Sequence, residues 1–167
     1  MIVTIWRHGE AEAGANDPLR ELTETGRDDV GFGCRQLHRV CTDRKIPHPG
    51  KILHSPLLRT LQTAEIVAAA YTHAGVVPVA ALQPGGTVKA VATEVGALVA
   101  SHPANVHWLL VSHQPLVSRL VDHYLGDKGR VPALPPGGLA TLSMDELGPG
   151  CAQLLFWAFP PEFEAVL

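Results

Sequence analysis

The sequence predicts an α/β fold, three-layer α/β/α around a mostly parallel central sheet. Short runs of Val, Ile and Leu alternate with longer segments whose apolar residues recur at helical spacing. Hydrophobic residues make up 46% of the chain and aromatic ones only 5%, which suits a core of Val, Ala and Leu. Polar clusters bearing Arg or His stand directly after three of the strand-like runs, where open α/β sheets bind ligands. At 167 residues the chain reads as a single domain, 1–167, able to bury about two thirds of its unfolded surface.

Residues 2–6 read as the first strand. Thr25-x-x-Asp28 resembles a helix start, after which Val30, Cys34, Leu37 and Cys41 fall on one face. Residues 51–55 form a second strand, and Pro56 opens a helix with Leu57, Leu61, Ala64 and Ala68 as its apolar stripe. Residues 77–82 read as a third strand. Thr87 then caps a helix carrying Val88, Val91, Val95, Leu98 and Val99 at core spacing. Residues 107–112 are the fourth, fully buried strand, followed from Pro115 by a helix using Leu116, Leu120, Val121 and Tyr124. A Pro/Gly-rich loop occupies 127–138. Residues 139–144 and 152–159 close the fold as an antiparallel pair across Gly148-Pro149-Gly150.

A formal charge of −3 gives no reason to expect nucleic acid or an anionic membrane as partner. Cys34, Cys41 and Cys151 are odd in number and lack Cys-x-x-Cys spacing, so they read as reduced, buried thiols. No basic region or cleavage site precedes Arg7, and the most apolar stretch, 66–82, is broken by His73, Gly75 and Pro78. The expectation is a cytoplasmic protein with no membrane partner.

The chemistry concentrates in three places. Arg7-His8-Gly9-Glu10 follows the first strand, Ser55 to Arg59 follows the second, and His113 follows the fourth. Their positions at strand ends let them converge on a small anion, beside helix N-termini that favour negative charge. With Ser55 as N-cap, Arg59 lies in the first helical turn, where the macrodipole disfavours a cation. Clamping a phosphate offsets that cost; pairing with Glu65 or a loop carboxylate is the alternative. The other histidines, at 38, 48, 54, 73, 102, 107 and 123, follow no metal-ligand spacing and read as surface or packing residues; no metal or cofactor is expected.

The blocks Arg7-His8-Gly9-Glu10-Ala11, Leu22-Thr23-x-x-Gly26, Ser55-Pro56-Leu57-Leu58-Arg59-Thr60-x-Gln62-Thr63-Ala64 and Ser112-His113-Gln114-Pro115 resemble the histidine phosphatase superfamily along essentially the whole chain. The short length and Gly137-Gly138-Leu139-Ala140 look most like the SixA-type phosphohistidine phosphatases. The resemblance implies a phosphoglycerate mutase-like fold and a phosphohistidine enzyme intermediate on His8. Arg7, Arg59 and a protonated His113 would bind the phosphoryl oxygens, with Gly9 and Ser55 also lining the substrate site.

The chain departs from the broad family in one respect. Many relatives carry a Glu or Asp near the end of the third strand as proton donor, whereas no carboxylate occurs between Glu65 and Glu94. Glu94 is expected to lie two turns into the next helix, out of reach; Glu10 and Glu12 are the other candidate donors. An alkoxide leaving group needs a general acid, while an imidazole leaves more easily, so the absence favours a P–N bond. The chain also has no room for a large helical cap insertion, and an open site suits a phosphohistidine-containing protein such as a phosphotransfer domain. Lys128 and Arg130 either touch such a partner or are a solvated loop. A small phosphorylated substrate, cleaved by a broad-specificity phosphomonoesterase, and a non-catalytic phosphate-binding module are the competing readings.

Overall fold

In the computed structural model, which describes residues 1–103 and 105–167, six strands form one sheet. They are β1 (Ile2–Arg7), β2 (Pro49–His54), β3 (Gly75–Pro78), β4 (His107–Ser112), β5 (Leu139–Met144) and β6 (Ala152–Ala158), in the spatial order β3-β2-β4-β1-β5-β6. β1, β2, β3 and β4 run parallel, and β5 pairs antiparallel with both β1 and β6. Four helices cover the faces: α1 (Glu24–Asp43), α2 (Leu58–Ala70), α3 (Val88–Ala100) and α4 (Leu116–Leu125).

Two-residue periodicity in the central strands feeds both layers. Val3 and Ile5 of β1 with Trp108 and Leu110 of β4 pack beneath α3 and α4, against Val91, Val95, Leu116 and Leu120. Trp6, Leu109 and Val111 face the other way, onto Val30, Cys34 and Leu37 of α1 and Ala64 and Val67 of α2. The predicted three-layer α/β/α class with a mostly parallel sheet is the observed one. Only a 3₁₀ turn and a short loop lie between β3 and α3, with no large helical cap. Among the described residues no helix is long and apolar enough to cross a membrane.

Several boundaries differ from the sequence reading, each for a local reason. α1 starts at Glu24 because Thr23, not Thr25, is its cap: the Thr23 hydroxyl accepts from the Gly26 amide at 2.9 Å. β2 begins at Pro49 and ends at His54. α2 is capped at Leu57 rather than Ser55, whose hydroxyl accepts from the Leu57 amide at 3.3 Å. Its buried face is Arg59, Thr60, Thr63, Ala64 and Val67, turned from the expected stripe so that Leu61 and Ala68 are half-buried. The predicted third strand is cut short. Pro78 has no N–H for the ladder, and Ala80–Leu82 turn into a 3₁₀ helix whose Ala80 and Ala81 amides donate to the Glu94 carboxylate at 3.2 and 2.9 Å. Cys34 and Cys41 are buried free thiols as expected, but Cys151 is half-exposed in the β5–β6 turn.

His107 is a packing residue with a thermodynamic signature. Its Nδ1–H donates to the Pro47 carbonyl at 2.7 Å, and its Nε2 accepts from the Thr4 hydroxyl, 2.8 Å away, which also meets Thr141 at 2.8 Å. Burial lowers its pKa to about 4, with His48 adding and the Pro47 bond opposing. The unfolded imidazole takes its proton near 6.5, so its contribution to stability is complete above that pH and drains away toward 4. Denaturant titrations at pH 7 and pH 4.5 should show wild type losing about 2 kcal/mol more than His107→Gln between the two. Equal losses would mean that His107 charges freely in the folded protein.

Candidate active site

The carboxyl ends of β1, β2 and β4 are bound to one another beyond the ladder. The His8 amide donates to Ser112 O at 3.1 Å and the Ser55 amide to Val111 O at 3.2 Å. This linkage delivers His8, Ser55 and His113 to one place, 105 residues apart at the extremes. The two imidazoles lie with ring centroids 5.0 Å apart and planes tilted by 59°.

His8 has a fixed tautomer. Its Nδ1 lies 2.7 Å from the Gly9 carbonyl, which can only accept, so Nδ1 carries the hydrogen and Nε2 keeps its lone pair. Burial above all, then the charges of Arg59, Arg7 and Arg20, lower the His8 pKa to about 4, against the pull of the Gly9 bond. The ring is neutral at pH 7, as a nucleophilic nitrogen must be.

His113 is held differently. Its Nε2 sits 2.8 Å from the Ser55 hydroxyl, while its buried Nδ1 has no partner among the described residues. Burial, then His8, Arg59 and Arg7, push its pKa down to about 3, with Asp17 opposing. The protonated His113 expected from the resemblance is therefore disfavoured in the free protein, by burial above all and by the guanidiniums of Arg59 and Arg7.

Both arginines reach the same region. Arg59 is almost fully buried in the first turn of α2, and the alternative pairing considered from sequence is realised with a loop carboxylate rather than Glu65. Its Nη1 donates to Asp17 O at 2.8 Å and its Nη2 to Asp17 Oδ2 at 3.2 Å. Arg7 donates from Nη1 to the Leu134 carbonyl at 3.0 Å. The Nε atoms of Arg7 and Arg59 are buried without a hydrogen-bond partner, like His113 Nδ1. Orphaned buried donors are costly, and each of the three would gain from an anionic partner.

The other sequence candidates have structural duties. The Gly9 amide is spent on the Thr63 hydroxyl at 3.2 Å, so it has no free N–H for a substrate. Ser55 holds His113 and the start of α2. The Glu10 carboxylate accepts from the Thr23 hydroxyl at 3.0 Å, and Glu12 contributes its backbone to the loop, accepting from Arg20 Nε at 2.5 Å. Glu94 is tied to the 3₁₀ turn. Lys128 and Arg130 are exposed; their loop meets the site through the Leu134 carbonyl, which also accepts from Gln114 at 3.0 Å.

Sequence reasoning missed Asp17, which opens a 3₁₀ turn (Asp17–Leu19) in the β1–α1 loop. The Asn16-Asp17-Pro18 triplet marks a turn shortly after Arg7-His8, and that was the available signal. The same loop lines an open groove of about 530 Å³ with Ala13, Asn16, Leu19 and Arg20; neither histidine lines it. Among the described residues no cluster of His, Cys, Asp and Glu is arranged to hold a metal ion.

Residues 3–83 match the family model described as histidine phosphatase superfamily, branch 1. No curated protein matches the chain by sequence. Among solved structures, the protein histidine phosphatase SixA complexed with tungstate superposes with a TM-score of 0.76 at 27% identity, over 96% of this chain and 97% of that one. A mycobacterial glucosyl-3-phosphoglycerate phosphatase complexed with VO3 gives 0.72 at 18%, over 95% and 99%. A phosphoglycerate mutase from Plasmodium falciparum gives 0.66 at 17%, over 99% and 96%. The last two show a shared fold. Its Arg-His-Gly, Ser-Pro-x-x-Arg and Ser-His blocks gather at the carboxyl ends of the strands, and over residues 3–83 the chain is similar to the histidine phosphatase superfamily.

Proposed function

We propose that this protein is a SixA-type phosphohistidine phosphatase, acting as one domain in the cytoplasm on a phosphohistidine-containing protein such as a phosphotransfer domain. The observation that carries the reading is the His8 Nδ1–H bond to Gly9 O, which reserves Nε2 for attack among Arg7, Arg59 and His113. In the first step the Nε2 lone pair forms a bond to phosphorus as the substrate's P–N bond breaks. The leaving imidazole keeps that electron pair and carries its proton on the remote nitrogen. In the second step water attacks phosphorus, the His8–P bond breaks, and its electron pair returns to Nε2; the water proton leaves with the phosphate. Arg7 and Arg59 stabilise charge on the phosphoryl oxygens in both steps. A bound dianion also makes the imidazolium of His113 favourable, supplying the third donor.

The choice of P–N over P–O bonds rests on the proton inventory. The segment after β3 has no carboxylate, and Glu94 spends both oxygens on backbone amides. An alcohol leaving group would forgo a general acid that contributes about 10²–10⁴-fold; an imidazole needs none. Steady-state kinetics should give a kcat/KM at least about 100-fold higher for a phosphohistidine peptide than for an alkyl phosphomonoester, unchanged by chelator. A preference for sugar phosphates would make the chain a small-molecule phosphomonoesterase instead. Binding without turnover of either would make it a phosphate-binding module.

A further inference from the structure

The carboxylate of Asp17 has no role in the mechanism so far, yet it touches the guanidinium on which the mechanism depends. Its own carbonyl and its Oδ2 occupy the two terminal nitrogens of Arg59, at 2.8 and 3.2 Å. Its Oδ1 accepts from Arg20 Nη1 at 3.0 Å, and Arg20 is fastened through Nε to the Glu12 carbonyl. A continuous chain thus runs from the Glu12 backbone through Arg20 and Asp17 to Arg59. The Arg59 side chain is 5% exposed and that of Asp17 52%, so the pair sits where the loop meets the buried site.

Guanidinium geometry gives this arrangement a consequence. A guanidinium offers two forks to an anion, one across its terminal nitrogens and one along the Nε–Nη2 edge. Asp17 takes the first. The Arg59 Nε–H remains without a partner among the described residues, so the second is the fork left for phosphoryl oxygens. A phosphate at that edge would leave Asp17 in place, and the two anions would then flank one cation.

Resting on the phosphate-site reading above, we propose that Asp17 is a positioning residue of the reaction. It locks the Arg59 fork in register for the transferring phosphoryl group and, as a fixed negative charge, keeps phosphate from binding too tightly to leave. Arg20 holds Asp17 in place. The loop carboxylate thereby tunes the site from behind the arginine, without touching the substrate.

The two parts separate experimentally. Asp17→Asn keeps an acceptor for Arg59 but removes the charge; Asp17→Ala removes both. Calorimetric binding of inorganic phosphate needs no turnover, so it tests this proposal even if the phosphohistidine assignment fails. The Asn variant should bind phosphate about fivefold more tightly than wild type. The Ala variant should lose about 10- to 100-fold in kcat/KM on a phosphohistidine peptide, measured at a temperature where it remains folded. Substitution by Asn should restore part of that loss. Phosphate affinity that is unchanged or weaker in the Asn variant overturns the charge-balancing role. Wild-type turnover in the Ala variant, or losses that merely track a fall in melting temperature, overturns the positioning role.

Discussion

His8→Ala should abolish the trapped phosphoenzyme and lower phosphohistidine hydrolysis by about 10⁴-fold or more, the scale on which loss of a covalent nucleophile is felt. Incubation with a labelled phosphodonor, then acid and base quenches, reads the first effect: wild type carries acid-labile label and the variant carries none. His113→Ala should cost less, about 10²–10³-fold, because that imidazole supplies one donor to the phosphoryl oxygens. The structure sets this order. His8 Nδ1 faces a carbonyl that can only accept, so the tautomer with a lone pair on Nε2 is enforced. His113 Nε2 faces a serine hydroxyl that can donate or accept, which suits a group that changes protonation when an anion arrives. Label retained after His8→Ala and lost after His113→Ala would reverse the two assignments.

The parts of the site legible in the sequence were those set by strand ends. A strand finishing in Arg7-His8 and another finishing in Ser112-His113 must deliver those residues to the same edge if the strands are parallel neighbours, and β1 and β4 are. What stayed hidden was set by side chains meeting across long separations. Nothing local to Asp17 announces that Arg59, 42 residues later, will grip it. The shortened β3 has a similar origin: Val79 to Leu82 carries strand-like residues, but Glu94 withdraws the Ala80 and Ala81 amides from the ladder. The misjudged stripe of α2 follows from the site as well. A helix that turns Arg59 toward Asp17 and Thr63 toward the Gly9 amide buries those polar residues and leaves Leu61 and Ala68 only half-buried.

Gly26→Ala should be severely damaging although it touches no catalytic group. The motif Leu22-Thr23-x-x-Gly26 is recognisable in the sequence, but its physical reason is a close approach of two backbones. A Cβ on Gly26 would stand 2.2 Å from the Glu10 carbonyl oxygen and 2.7 Å from the Glu10 amide nitrogen. The contact is mutual, since a Cβ on Gly9 would meet the Gly26 oxygen at 2.7 Å. The first turn of α1 thus rests directly on the loop that aims His8, stitched to it by the Thr23 amide donating to Glu10 O at 3.0 Å. No rotamer change relieves a clash with backbone, so helix or loop must move. Alanine's better helix propensity returns only about 1 kcal/mol, against an overpacking cost of about 3 kcal/mol. The loop shift adds a catalytic penalty, about 100-fold for a displacement near 1 Å. Gly31→Ala, in the same helix, is the control: its Cβ would meet only the end of the Arg35 side chain at 3.8 Å, so propensity acts unopposed. Melting temperature should fall in the first variant and rise slightly in the second, and only the first should lose phosphatase activity. If both variants stabilised the protein, the helix and the His8 loop would not be in the contact described, and the precise aim of Nε2 would need another source.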